Sequence, residues 1–270
     1  IMKNNMLGLK IGSIAILAVS FLGVGNVHAA VSNTPHNLGT TGPGPNTYSG
    51  TAEICVFCHT PHGADVSASV PLWNRSLGLT APATYTTYDS LGTTSLDGAT
   101  APVGSVSIAC LSCHDGTQAM DTVLNEPGSG AVVASYSTGQ TWTGNSSPQG
   151  IALIGTDLSN DHPVGIQYGG GGLTATTPDG TMNDTDFKAA QNDVINGKTV
   201  WWVDTEASPG NGTRQKTDMQ LYTRSVAAID GNAAQPFVEC ASCHDPHTEN
   251  STFLRVSNDG SAVCLACHTK

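Results

Sequence analysis

All eight cysteines of the chain occur in pairs separated by two residues, and a histidine directly follows each pair. Two thiols one helical turn apart can form thioether bonds with the two vinyl groups of a porphyrin, and the adjoining imidazole can then bind its iron. The spacing therefore predicts four covalently bound c-type haems. The attachment residues and proximal iron ligands are Cys55, Cys58 and His59; Cys110, Cys113 and His114; Cys240, Cys243 and His244; and Cys264, Cys267 and His268.

Two other uses of paired cysteines compete with haem attachment. An exported protein with an even cysteine count can form disulfides, and two Cys-x-x-Cys pairs can hold a tetrahedral zinc ion. Neither use requires a histidine after every pair, whereas the haem-attachment motif does. The motifs therefore favour haem.

The remaining histidines match the number of irons that need a second axial ligand. Of the nine histidines, four complete the motifs and His28 lies in the N-terminal segment discussed below. A methionine ligand would raise the reduction potential, but no motif is closely flanked by Met120, Met182 or Met219. We therefore expect bis-histidine ligation throughout, with the distal ligands His36, His62, His162 and His247.

Two of these candidates lie three residues after a proximal histidine, His62 after His59 and His247 after His244. On a helical turn such side chains leave the same face, with Cβ atoms about 5–6 Å apart. They cannot then approach opposite faces of one porphyrin. Each second histidine is expected to bind a different haem, which brings haems into close contact, and for His247 the expected acceptor is the fourth haem.

The N-terminus predicts export. Lys3 and Lys10 accompany an apolar stretch at 11–24, and small residues at 27 and 29 fit a signal-peptidase site after Ala29. A permanent anchor needs about 20 apolar residues, and this stretch is shorter and interrupted. We expect a removed signal peptide at 1–29, no later membrane span, and an extracellular or cell-surface location, with the periplasm as the alternative.

Composition excludes some functions and suggests what fills the interior. The formal net charge of −11 does not suit a nucleic-acid partner. Aromatic residues make up only 6% of the 270 residues and charged residues only 11%, against about 25% charged residues in typical domains. Because aromatic side chains supply much of the buried area of a core, we expect the haems to form much of the interior.

The expected fold is a multihaem cytochrome c, mostly coil with short helices and a few short strands wrapped around four haems. Its segments are 1–29, a two-haem segment at 30–125, a Gly/Thr/Asn-rich insertion at 126–235 that carries one distal histidine, and a two-haem segment at 236–270. Predicted strands are 131–137, 151–156 and 199–204, and predicted helices are 186–196, 218–229 with Asp218 as N-cap, and a turn from Ser261. In the third strand, Trp201 and Trp202 are expected either to cover a haem edge or subunit contact or to be ordinary core. Asp179, Asp184 and Asp186 are expected to form a solvated loop rather than a cation site.

The doubled motifs, the further histidines in Cys-His-Thr-Pro-His and Cys-His-Asp-Pro-His, and the Asp161-His162-Pro163-Val164-Gly165 segment resemble the paired-CxxCH, cytochrome c3-like multihaem cytochromes. Chain size, four motifs, the export signal and the Gly/Thr-rich middle are similar to the extracellular tetrahaem cytochromes that form conductive filaments, the OmcE type. The filament resemblance implies that His62 ligates the third haem of a neighbouring protomer, while His36, His162 and His247 serve the first, second and fourth. In the alternative, His62 serves the second haem of its own chain and His162 the third.

The resulting functional prediction is electron transfer along a haem chain that continues between copies of the protein. Its partners would be the protein itself, other redox proteins or an extracellular electron acceptor. A soluble periplasmic electron shuttle is the main alternative. A multihaem reductase is a further alternative, but it needs an iron open to substrate, and four spare histidines for four irons leave none. The sequence therefore predicts no enzyme activity.

Overall fold

The computed structural model describes residues 30–67, 69–77, 85–93, 95–128, 136, 139–206, 211–229, 231 and 233–269. Within these ranges, three α-helices are present: α1 at Ser105–His114, α2 at Cys240–Cys243 and α3 at Ala262–Leu265. Short 3₁₀ turns occur between them, including one at Cys55–Phe57. No helix in the described part of the chain is long and apolar enough to cross a membrane.

The strands form two antiparallel sheets. A small sheet pairs β1, Thr47–Tyr48, with β2, Trp142–Thr143. The larger sheet has the order β3-β7-β6-β5-β4. Its strands are β3 at Ile166–Gln167, β4 at Gln191–Ile195, β5 at Lys198–Val203, β6 at Met219–Arg224 and β7 at Gln235–Val238.

Two predicted elements are confirmed. The strand predicted at 199–204 is β5, whose last three residues are buried. The turn predicted from Ser261 is also present, since a 3₁₀ turn at Asp259–Ser261 leads directly into α3, which carries the first cysteine of the last motif. Of the strand predicted at 131–137, only Tyr136 lies within the described residues.

The two longer helix predictions are wrong, because a strand forms within each segment and the rest of each is turn or coil. The first coincides with β4, which joins β5 through Asn196 and Gly197, with φ angles of 51° and 73°. Two successive positive φ angles make the hairpin turn that Asn-Gly favours, and this turn cannot continue a helix. The second coincides with β6, and Asp218 is no helix cap. Its carboxylate instead accepts hydrogen bonds from the backbone N–H groups of Gln215 and Thr205.

The strand predicted at 151–156 is also wrong. A 3₁₀ turn occupies Gly150–Ala152, and Ile151 is 94% exposed. The residues that follow do not pair with a strand, because the N–H groups of Ile154 and Gly155 both donate to the carbonyl of His114. This segment thus follows the end of α1.

Two apolar cores each incorporate attachment thiols. One core lies on the large sheet and includes Trp201 and Met219, both 0% exposed, with Cys243 and Cys267 packed against it. The other includes Phe57, 1% exposed, and it packs against Cys58 and Cys113. Trp201 and Trp202 are buried in the interior, so of the two roles expected from the sequence they have that of ordinary core residues. Trp201 also lies in the core that packs against two attachment thiols.

Candidate haem sites

Each Cys-x-x-Cys pair begins on a helical turn, as haem attachment requires. The first pair begins in the 3₁₀ turn at Cys55–Phe57, the second lies near the end of α1, the third forms α2, and the fourth begins in α3. All eight cysteines are free thiols in the structure. This local geometry places the two thiols of a motif one turn apart, ready to bond one porphyrin edge.

Three proximal histidines are oriented by a backbone carbonyl. The Nδ1 atom of His59 lies 2.8 Å from the Pro71 oxygen, that of His114 2.6 Å from the Ala152 oxygen, and that of His244 2.8 Å from the Thr252 oxygen. A carbonyl can only accept a hydrogen bond, so Nδ1 carries the proton and Nε2 keeps its lone pair. Such a bond fixes the tautomer and ring orientation of a metal-ligating histidine.

Two candidate distal histidines face proximal histidines at the separation expected across one iron. The ring centroids of His36 and His114 are 6.1 Å apart with planes at 78°, and those of His59 and His247 are 6.2 Å apart with planes at 18°. Two metal–nitrogen bonds of about 2 Å, with each ring centre beyond its nitrogen, give centroids about 6 Å apart. The imidazole pairs therefore fit haem iron held between them.

Burial and neighbouring rings favour the neutral, ligating form of His36. Burial, together with the nearby His114 and His247, lowers the pKa of His36 to about 4, although the Pro246 carbonyl opposes the shift. The Nδ1 atom of His247 lies 3.3 Å from the Asp245 carboxylate. A carboxylate in this position is a common partner of a metal-ligating histidine.

A third distal candidate lies near the last motif. Surrounding protein atoms lower the pKa of His162, the Pro163 carbonyl opposes this shift, and the nearby His268 lowers the pKa again. The His162 side chain is nevertheless exposed, and its Nδ1 atom lies 3.1 Å from the Pro163 oxygen. Phe187 packs against the other member of this pair, with its ring centroid 4.4 Å from that of His268.

The fourth distal candidate, His62, has no ring contact with another imidazole in the described part of the chain. Its side chain is exposed, and no hydrogen bond, ion pair or ring contact of its imidazole is recorded within the described ranges. Among the proximal histidines, His244 and His268 have no ring contact with another histidine in the part of the chain that the structure describes. His268 interacts electrostatically with His162, so His62 and His244 are the two candidates with neither kind of histidine neighbour.

These positions correct the expected pairing of distal with proximal histidines. His36 was expected at the first haem but lies beside His114, the proximal histidine of the second motif. His247 was expected at the fourth but lies beside His59 of the first. His162 was expected at the second, or alternatively the third, whereas the proximal histidine that interacts with it electrostatically is His268 of the fourth. The fold, rather than sequence proximity, decides these pairs.

The helical spacing expected for the two His-x-x-His segments is wrong. His59 follows a 3₁₀ turn that has already ended and forms an antiparallel bridge with Trp73. His244 has extended backbone angles, φ −102° and ψ 139°. The prolines two residues on, Pro61 and Pro246, disfavour helical geometry in the residues before them. The expectation of a different haem for the second histidine agrees with the position of His247 beside His59.

Neighbouring motifs approach one another through their thiols. Cys58 and Cys113 pack against the same core, the side chains of Cys110 and Cys240 are in hydrogen-bond contact, and Cys243 and Cys267 share the other core. Motifs one to four therefore form a continuous series through the molecule. Haems attached in this series would be close neighbours.

Two buried side-chain networks that the sequence does not reveal hold motifs together. Glu239 accepts a 2.5 Å hydrogen bond from the Ser107 hydroxyl and a 3.1 Å bond from Arg224, and the Ser107 oxygen accepts the N–H of Cys240 at 3.0 Å. This network joins α1 to α2. Asn74 and Arg75 join the first motif to the second. A polar residue next to a motif is a weak sequence signal for such a role.

Buried indole donors provide a further fit to haem. The Nε1 atoms of Trp73, Trp142, Trp201 and Trp202 are buried without a hydrogen-bond partner among the described residues. Buried donors without partners are costly. Trp73 lies beside His59, and Trp201 lies in the core with two attachment thiols. The propionate carboxylates of haems at these motifs are suitable acceptors.

No group of three or more His, Cys, Asp or Glu side chains suited to a bare metal ion occurs in the described ranges. In the acidic segment, an Asp184 oxygen accepts the backbone N–H of Asp186 at 2.8 Å, which closes a local turn.

A comparison with known families identifies the C-terminal motifs. The model of the doubled CXXCH motif matches residues 235–270. The match supports a multihaem c-type cytochrome. It implies covalently bound haem c and electron transfer, with the third and fourth Cys-x-x-Cys-His motifs inside the matched segment. No curated protein matches the chain.

Proposed function

We propose that the protein is a tetrahaem, bis-histidine c-type cytochrome that polymerises into an extracellular filament and conducts electrons along a continuous series of haems. The observation that carries this proposal is the arrangement of imidazoles. Two in-chain ring contacts, His59 with His247 and His114 with His36, and the electrostatic interaction of His162 with His268 leave His244 and the exposed His62 without a histidine neighbour among the described residues. A second copy of the chain can supply the missing ligand.

In this proposal His62 of one protomer ligates the iron bound by His244 of the next. Both side chains are exposed. The chain around the former is held by Asn125, which donates to the carbonyls of His62 and Gly63 at 3.0 and 3.2 Å. Such anchoring presents the imidazole on a defined loop, so little ordering entropy is lost when it binds a neighbour.

Apolar side chains surround this loop. Val66 is 95% exposed, Leu72 53% and Leu124 42%. The antiparallel bridge between Asp65 and Trp73 brings the first two close together, and Leu124 adjoins the Asn125 anchor. Exposed apolar groups clustered in this way are typical of protein–protein contact surfaces, and here they would be buried against the next protomer.

Within each protomer, the chain's own residues prepare the haem sites. Backbone carbonyls hold proximal imidazoles in the ligating tautomer, and the large sheet and its core position the third and fourth motifs. The haem supplies the iron that takes up and releases one electron. With two imidazoles per iron, no coordination position is left for substrate, so we propose electron transfer without enzyme activity. Bis-histidine ligation favours lower potentials than methionine ligation does.

The His62→Ala variant tests the filament. The thiols and proximal histidines are unchanged, so it should retain four haems per chain while losing filaments in electron micrographs and showing one haem in four without its sixth ligand. Added imidazole should restore the low-spin spectrum at that haem without restoring filaments. The control, Asn33→Ala, changes an exposed side chain that pairs with Glu249 and should assemble normally.

Normal assembly of the His62→Ala variant would contradict the ligand bridge between protomers. Secreted wild-type protein that remains monomeric would favour the periplasmic shuttle. Carbon monoxide binding to one full haem of the reduced filament would indicate an open iron and favour a reductase.

A further inference from the structure

Arg75 is a buried cation without an anionic partner among the described residues. It is 0% exposed. Its guanidinium donates to the carbonyls of Met120, Ala119 and Ser112 at 2.9, 2.9 and 3.0 Å, and to the Ser112 hydroxyl at 3.2 Å. No carboxylate of the described residues lies within 4.0 Å of it. Removing such a charge from water is costly, so its burial calls for a functional explanation.

The charge lies between the first and second motifs. Ser112 is inside the second motif, and the residue before the arginine, Asn74, donates to the Val56 carbonyl of the first motif at 2.6 Å. The backbone N–H of Asn74 also donates to the carbonyl of Cys58 at 2.9 Å. The guanidinium acts electrostatically on the thiols of Cys58 and Cys113, so its field reaches both haem-attachment sites.

The nearby acidic group Asp115 does not cancel this field at the second motif. Arg75 lowers the pKa of the Cys113 thiol more than Asp115 raises it. The Asp115 carboxylate accepts hydrogen bonds from the Tyr85 hydroxyl at 2.7 Å and from the N–H and hydroxyl of Thr117, both at 2.8 Å. Asp121 also lies in this region, and at Tyr136 its effect on the pKa exceeds the opposite effect of Arg75, so the field of the arginine is offset on that side. Within the described residues no ion pair joins Asp121 to Arg75.

The C-terminal motifs have a different arginine. Arg255 donates to the Ala241 carbonyl of the third motif at 3.1 Å and to the Lys216 carbonyl at 2.9 Å. It is only partly buried, and the carboxylate of Asp245 lies near it. Solvent and a nearby opposite charge both weaken the field of a cation. The two halves therefore differ in the positive charge that their haems experience.

Reduction of a haem adds one electron to the iron, converting Fe(III) to Fe(II), and lowers the charge of the site by one. A buried positive charge stabilises the reduced form, and the low-dielectric interior screens this effect less than water does. We propose that Arg75 raises the reduction potentials of the haems bound at the first and second motifs above those of the C-terminal pair. Electrons entering from the C-terminal pair or a chemical reductant would then collect on the N-terminal pair. This inference rests on haem attachment, but not on filament formation.

The test compares three variants in an optical redox titration with a chemical reductant. Arg75→Gln removes the charge, Arg75→Lys keeps it but loses the fork of hydrogen bonds, and Arg255→Gln is the matched control. In Arg75→Gln, reduction of two of the four haems should become at least tenfold less favourable, which is about 59 mV for a one-electron couple. Arg75→Lys and Arg255→Gln should each shift less than half as far. Unchanged potentials in Arg75→Gln, or equal shifts in Arg75→Gln and Arg75→Lys, would overturn the inference.

Haem content separates this inference from the proposed function. Four haems per chain with unshifted potentials would contradict the role of Arg75 alone, whereas wild-type protein without covalent haem would contradict the function.

If Arg75→Gln does not fold, the order in which the haems of the wild-type protein are reduced still tests the inference. The imidazole planes of His36 and His114 are 78° apart. The haem of the second motif should therefore give a highly anisotropic low-spin EPR signal. Loss of that signal in the His36→Met variant would assign it to this haem. This signal should be among the first two to disappear on reduction, and its disappearance among the last two would overturn the inference.

Discussion

The first two motifs are held by loops and by the ten-residue helix α1, whereas the last two pack against a five-stranded sheet. In the N-terminal half, side chains such as those of Asn74 and Arg75 donate hydrogen bonds to backbone carbonyls. In a sheet, such carbonyls would accept from the backbone of a neighbouring strand. In the C-terminal half, the strands pair with one another and carry a core that includes Trp201. We infer that the N-terminal half depends on bound haem for its order far more than the C-terminal half does.

Preventing haem attachment should therefore have the largest effect, and it should be unequal. Chain produced without haem attachment is expected to lose protection of α1 and of the segments 55–67 and 69–75, because the cofactors that would fill this region are missing. Strands β5 and β6 should keep measurable protection, since they are paired and buried. Hydrogen exchange followed by mass spectrometry measures both regions in one sample. Equal loss of protection in both halves would show that the comparison is mistaken.

Removing a large core side chain should produce the next largest effect, confined to the sheet. Trp201→Ala deletes a fully buried indole and should cost about 3–5 kcal/mol. When denaturation is monitored by hydrogen exchange, β5 and β6 should be the first elements to lose protection. The control Trp142→Ala changes a partly exposed indole in the small sheet and should cost less. A similar loss around α1 in the Trp201→Ala variant would mean that the halves are not separable.

In the N-terminal half, the corresponding weak point is polar. Asn74→Ala removes hydrogen bonds to the carbonyls of Val56 and Asn125, at 2.6 and 2.9 Å. Leaving such buried acceptors unpaired should destabilise this half by roughly 1–3 kcal/mol. Thermal unfolding followed through the haem absorption would detect it. The exposed control Asn33→Ala should change stability by less than about 0.5 kcal/mol, and equal effects of the two variants would contradict a bridging role for Asn74.

The smallest expected effects come from two glycines in matched settings. Gly197 in the β4–β5 turn and Gly92 after the 3₁₀ turn at Tyr88–Leu91 have φ angles of 73° and 62°, and neither has another atom within 4 Å of an added Cβ. Alanine at either position should cost about 1 kcal/mol through backbone strain alone. Amide exchange should rise locally at each site. A much larger cost at Gly92 would reveal a packing role in the N-terminal half.

The sequence predicts the chemistry of the motifs better than the path of the chain. The Cys-x-x-Cys-His motifs indicate the thiols, the proximal histidines and the helical turns on which the cysteine pairs begin, because these depend on residues close in sequence. The pairing of His247 with His59 depends on contacts between segments far apart in the chain, so spacing alone assigns it to the wrong haem. The hairpin at Asn196-Gly197 is different: its turn signal is local and could have corrected the helix predicted at 186–196.

Other features lack any local signal. Trp201 lies in a strand that the sequence predicts correctly, but its burial beside Cys243 and Cys267 depends on how the sheet packs. Arg75 is an isolated charged residue outside every motif, and only the fold shows that it is buried. Such residues can be found only once tertiary contacts are known.

An electron cryomicroscopy map of the secreted, haem-loaded protein tests the central claim most directly. The map should show His247 opposite His59, His36 opposite His114, His162 opposite His268, and the imidazole of His62 from a neighbouring protomer opposite His244. A haem at the third motif ligated entirely within one chain, or any of the three in-chain pairs exchanged, would contradict the account.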